Sequence, residues 1–150
     1  MLKSKIETIA ENLMTIHPLL FRSLSKPMKA RTSITPAGLF VLRGLKKNGI
    51  LSMSLIGKYL SMPKPHITVI IDRLIEEGYV ERHHDPDDRR IVNISITEKG
   101  LTDLDEINQI IAEELKVKLL VLDADELEQL SVSSQNVKDK LLYILSKEKV

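Results

Sequence analysis

Between Pro63 and Gly100 the chain changes periodicity twice, from a helix to a two-stranded ribbon and back to a helix. Ile67, Ile70, Ile71 and Leu74 recur at spacings of three and four, which makes one apolar helical face. Ser61 is placed to cap this helix, with Pro63 and Pro65 in its first turn, where a missing N–H costs little. Glu76-Glu77-Gly78 closes it, because glycine takes the left-handed conformation that ends helices. Then Tyr79–His83 and Ile91–Thr97 alternate, with Val92, Ile94 and Ile96 on one face. The tip between them, Asp85-Pro86-Asp87-Asp88, is made of turn formers. Thr97 then caps the next helix.

The polar residues of this run suggest a purpose. Lys64, Pro65, His66, Thr68 and Val69 lie at the front and sides of the helix, and Arg73 lies further back. Arg89 and Arg90 stand just past the acidic tip. A helix sized for the major groove, followed by a charged finger that reaches the adjacent minor groove, is a reading head for double-stranded DNA. A methyl-bearing residue such as Val69 suits the thymine methyl. Asp88 or a neighbouring tip carboxylate is expected to pair with an arginine and fix its direction. The plainer alternative is an ordinary solvated helix face and a surface hairpin, with an ion pair worth about 0–1 kcal/mol.

Charge is distributed accordingly. The net charge is +1, yet from Asn12 to Ile71 there are nine basic residues and no acid. Residues 101–150 carry six basic and eleven acidic residues. Such a dipole orients a protein on a polyanion. A membrane surface would need the cations along one amphipathic helix, and here they are scattered. There is no cysteine, which excludes disulfides and thiolate chemistry. His83 and His84 beside Asp85 are weak metal candidates, because adjacent strand residues point to opposite faces. No metal, cofactor or catalytic pair is expected, so the chain does not read as an enzyme. Without a leader or a long apolar run, a cytoplasmic location is expected.

The flanks are helical. Leu2, Ile6, Ile9, Leu13, Ile16 and Leu20 make a seam that Pro18 should kink or interrupt, and Ser25 to Thr35 reads as a loop. Thr35 and Pro36 open a helix that stops at Asn48-Gly49. Ser52 or Ser54 opens a short helix to Leu60. A long helix runs from Glu98 to about Leu122, and Asp123-x-x-Glu126 starts a last one to about Lys147. One small lobe cannot bury three apolar seams, so the chain ends are expected to interlock with a second copy as a homodimer.

The strings Asp72-Arg73-Leu74, Glu76 to Arg82, Asp88-Arg89-Arg90 and Thr97-Glu98-Lys99-Gly100 resemble the MarR family of winged-helix regulators. The resemblance covers most of the chain. It implies a mainly α fold with a small β-hairpin wing (α+β), a winged helix-turn-helix with N- and C-terminal dimerisation helices. The expected layout is one domain over 1–150, with dimerisation helices in 1–34 and 101–150 and the winged lobe in 35–100. It also implies an obligate dimer, wing arginines in the minor groove, and a cleft between dimer helices and DNA lobe for a small, often aromatic, acid. The family often carries Arg or Lys where this chain has Val69.

The expected function is a dimeric, sequence-specific transcriptional regulator, a repressor of a pseudo-palindromic operator released by a small amphipathic or aromatic acid. Lys64, Pro65, His66, Thr68 and Val69 would face bases, and Lys58 and Arg73 phosphates. Arg90, with Arg89 and helped by Asp88, would enter the minor groove. His17, Phe21 and Arg22, an aromatic ring with a cation beside it near Pro18, are candidates for the acid site. The alternative is a winged-helix protein-interaction module without DNA binding.

Overall fold

In the computed structural model residues 1–148 are described, with all side chains except those of Pro27, Ala30 and Arg31. The elements in order are α1 (Leu2–Arg31), α2 (Pro36–Asn48), β1 (Leu51–Ser52), α3 (Met53–Leu60), α4 (Lys64–Glu76), β2 (Val80–His84), β3 (Val92–Ile96), α5 (Glu98–Leu119) and α6 (Ala124–Lys147). Contacts divide the chain within α5, into Met1–Ala112 and Glu113–Val150.

The core of the first unit is aliphatic. Leu42 and Leu45 of α2, Ile56 of α3, Ile67 and Ile71 of α4, Ile94 of β3 and Leu104 of α5 are all fully buried. The sheet is antiparallel in the order β1-β3-β2. Val80 pairs with Ile96, Arg82 with Ile94 and His84 with Val92. The expected hairpin is thus present, with β1 added at its edge by pairing Leu51 with Ile94.

Caps set the boundaries. The Thr35 hydroxyl accepts the Gly38 N–H at 3.1 Å, with Pro36 in the first turn of α2. Ser52, not Ser54, caps α3 by accepting the Leu55 N–H at 3.2 Å. Thr97 accepts the Gly100 N–H at 3.0 Å and donates to the Gly78 carbonyl at 2.6 Å, tying the start of α5 to the end of α4. Asp123 and Glu126 form a reciprocal capping box at the start of α6.

Four expectations need correction. Residues 25–31 are helical, so the expected loop over Ser25 to Thr35 shrinks to the last four residues. Pro18 does not interrupt α1. One proline removes a single internal hydrogen bond, and a 30-residue helix propagates past it. Ser61 does not cap α4. It is the left-handed C-cap of α3, at φ 50 and ψ 41, and donates its N–H to the Lys58 carbonyl. Pro63 stands at the N-cap of α4, its fixed φ of −61 combined with an extended ψ of 147. Finally, α5 stops at Leu119, where the Leu120 and Leu122 N–H groups bond three residues back and tighten the chain into a turn.

Both chain ends leave apolar surface uncovered. On α1 the exposed large apolar side chains run from 41% at Ile16 to 76% at Leu2, while Met28 near its end is buried. On α6 no residue is buried, and Leu127, Leu130, Val137, Leu141, Ile144 and Leu145 are all exposed.

Candidate nucleic-acid interface

The site is built on α4. Ile67, Ile71 and Leu74 are buried and pin one face of this helix into the lobe. Lys64, Pro65, His66 and Val69 are exposed on its other sides, and Thr68 is half-buried with its hydroxyl donating to the Lys64 carbonyl at 3.0 Å. Val69 is 69% exposed, an apolar side chain that nothing in the described chain covers. Lys58, in the last turn of α3, is exposed. Arg73 is less free than its sequence position suggested. Its Nε lies 3.3 Å from Glu77 Oε1, while Glu77 Oε2 accepts the Ser33 hydroxyl at 2.7 Å.

The end of α4 sets where the wing begins. Gly78, at φ 78, donates to the Ile75 carbonyl, and Tyr79 donates to Leu74, both at 2.9 Å. This pair of bonds closes the helix through a left-handed glycine and turns the chain directly into β2. Arg82 of β2 reaches back to Asp72 of α4 at 2.7 Å, a second tie between helix and wing.

The tip is organised by two aspartates. Asp85 accepts the N–H groups of Asp87 at 2.9 Å and Asp88 at 3.2 Å on one oxygen, and the Asn93 side chain at 3.1 Å on the other. The Asp87 N–H, then Asn93, then the Asp88 N–H hold the Asp85 carboxyl below the usual carboxylate range, against desolvation and the like charge of Asp88. Asp88 grips Arg90 with both oxygens, Oδ1 to Nε and Oδ2 to Nη2, each at 3.0 Å, and Oδ1 also accepts the Arg90 N–H. The arginine side chain and then its N–H lower the Asp88 carboxyl, and Asp88 in turn raises the Arg90 guanidinium. The Arg90 side chain is nevertheless 91% exposed. The expected aspartate–arginine pairing is therefore present, and the acid aims the cation without covering it.

Lys64, Pro65, His66 and Val69 are each exposed near the start of α4, and Asp88, Arg89 and Arg90 stand together at the wing tip. His17, Phe21 and Arg22 are exposed on α1. Among the described residues no group of three or more potential ligands could hold a metal ion, and no helix is long and apolar enough to cross a membrane. Sequence reasoning missed the Asp72–Arg82 and Ser33–Glu77 links, whose partners share no local pattern. It also missed Asp85 as the organiser of the tip, although an aspartate bonding backbone two residues on is a known turn signal.

Residues 34–92 match the model of the MarR family. The chain is 31% identical over 126 residues to the HTH-type transcriptional regulator YkoM of Bacillus subtilis, an alignment spanning 82% of each protein. This chain belongs to the MarR family. It is also similar to the HTH-type transcriptional repressor MdtR of Bacillus subtilis, at 34% identity over 92 residues, 61% of this chain but only 56% of that protein. Among solved structures, a mutant of Escherichia coli MarR complexed with operator DNA is 25% identical with a TM-score of 0.67, covering 91% of this chain and 98% of that one. The winged helix-turn-helix expected from the sequence is thus the fold of this MarR-family chain.

Proposed function

We propose that this MarR-family chain is a DNA-binding transcriptional repressor that works as a homodimer in the cytoplasm. The residues of α4 from Lys64 to Val69 face base edges in the major groove. Lys58 and Arg73 sit near phosphates, and Arg90, with Arg89 beside it, enters the adjacent minor groove. The observation that carries this reading is the pairing of an uncovered polar helix face with an arginine held by Asp88 at the wing tip yet 91% exposed. A protein-interaction module would need neither. Residues 1–34 and 101–150 serve dimerisation and 35–100 form the DNA lobe, which accounts for apolar seams that the single chain leaves in water. Two copies present their groove helices to half-sites about 34–36 Å apart on a pseudo-palindrome. A small amphipathic or aromatic acid, held near His17, Phe21 and Arg22, releases the complex by favouring a spacing of the two heads that does not fit.

The test is footprinting of the purified protein on its gene's own upstream region, with sedimentation run in parallel. A protected pseudo-palindrome and a mass of twice 17.0 kDa are expected. A monomer at micromolar concentration, or no protected site there or on neighbouring promoters, would sink the reading.

A further inference from the structure

The wing has two faces, and only one looks toward α4. Cross-strand partners share a face, and successive strand residues alternate between faces. Arg82 marks the α4-facing side, because it meets Asp72 of that helix at 2.7 Å. His84 lies two residues further along the same face, about 7 Å beyond Arg82, paired with Val92. His83 lies on the opposite face and bonds Ser95 at 2.8 Å. His84, Asp85, Pro86 and Arg89 line an open hollow of about 420 Å³ at this end of the wing.

The chemistry of that hollow is defined by its hydrogen bonds. His84 Nδ1 lies 3.0 Å from the Arg89 carbonyl oxygen. A carbonyl only accepts, so Nδ1 is the donor here and Nε2 is the ring nitrogen left for other partners. The Asp85 carboxylate is engaged by three donors of its own tip. Arg90 is taken by Asp88, whereas the exposed Arg89 has no such carboxylate partner among the described residues. The other charges around His84 are Arg82 with Asp72 on its own face, and Asp87, Asp88 and Arg90 along the tip.

A module with its helix in the major groove and its wing in the adjacent minor groove must straddle the sugar-phosphate backbone between the two. The side of the wing that faces α4 meets that backbone. We infer that His84 and Arg89 clamp one phosphate of this intervening strand, and that the clamp tightens when His84 takes up a proton. Arg89 is thereby separated from Arg90, which is left to the minor groove. This rests on the DNA-binding reading above and adds an acid-responsive contact to it.

The experiment is a salt titration of binding to a short random-sequence duplex, since a phosphate contact is blind to sequence. Wild type, Arg89→Ala, His84→Gln and His84→Arg are compared at about pH 6 and about pH 8. Arg89→Ala should flatten the slope of log affinity against log salt by about one unit for each phosphate lost, at both pH values. His84→Gln should flatten it only at the lower pH. His84→Arg should keep the acid-form slope at the higher pH, which separates charge from a structural role of the ring. Slopes equal to wild type in Arg89→Ala, or a pH response unchanged in His84→Gln, overturn the clamp and leave the DNA-binding reading intact. A wild type that binds no duplex overturns both.

Discussion

Replacing Gly100 by alanine tests how the DNA lobe is locked to α5. A Cβ at Gly100 would lie 2.2 Å from the Tyr79 carbonyl oxygen and 2.8 Å from Ile96 Cγ1, where ordinary contact begins at 3.4 Å. The first turn of α5 must therefore retreat by about 1 Å, an overpacking that typically costs about 1–3 kcal/mol. Retreat is opposed by Thr97 N–H on Tyr79 O at 3.0 Å, the Thr97 hydroxyl on Gly78 O at 2.6 Å and Lys99 Nζ on Glu77 O at 2.8 Å. Losing one or two of these adds about 0.5–1.5 kcal/mol each, and the better helix propensity of alanine returns about 1 kcal/mol. Together these ranges span about 0.5–5 kcal/mol and centre on a destabilisation of about 2–3 kcal/mol. For a chain of this size that lowers Tm by roughly 4–12 °C. Thermal and urea unfolding should be measured at one protein concentration, beside Gly44→Ala as a control. At Gly44 the nearest atoms to an added Cβ are 3.8 Å away, so alanine fits and should stabilise α2. A Gly100→Ala protein as stable as wild type would refute the close-approach explanation of that glycine.

Three further outcomes follow from the interface. Arg90→Ala should weaken operator binding by roughly 1–3 kcal/mol at fixed salt while leaving the sedimenting mass unchanged; equal affinity would remove Arg90 from the groove. Lys64→Ala distinguishes base from phosphate contact: a phosphate role predicts the same weakening on every sequence and a salt slope flatter by about one unit, whereas a base role predicts loss confined to one operator position. Titrating salicylate-like acids against the operator complex should release DNA from wild type and less from Arg22→Ala. Tenfold release needs about 1.4 kcal/mol of differential affinity, and identical responses of the two proteins would move the acid site elsewhere.

Where local chemistry decides an element, the sequence was legible. Thr35-Pro36, Gly78, Thr97 and the Asp123/Glu126 box each act within a few residues, and the structure uses all of them as caps. The aspartate–arginine pair at the tip was legible for the same reason, its partners being two residues apart. The turn before α4 was not. Ser61 takes a left-handed φ of 50, a conformation that serine has no strong signal for, so its usual capping role pointed the wrong way. β1 is two residues long and exists only because β3 offers an edge, which no pattern within Leu51–Ser52 announces. The Arg73–Glu77 pair spans only four residues, whereas the Ser33 hydroxyl that shares Glu77 is 44 residues away and gave no local signal.

On the homodimer reading, a helix of 24 residues with no buried side chain would tie the protein's durability to its abundance. If the apolar side of α6 is covered only by a second copy, part of the folding free energy is concentration-dependent. A dilute pool of chains would then melt at a lower temperature and be more open to proteases than a dense one. If such a chain also represses its own gene, it would lose copies fastest when scarcest, and its switch between sparse and abundant states would be sharper than operator affinity alone sets.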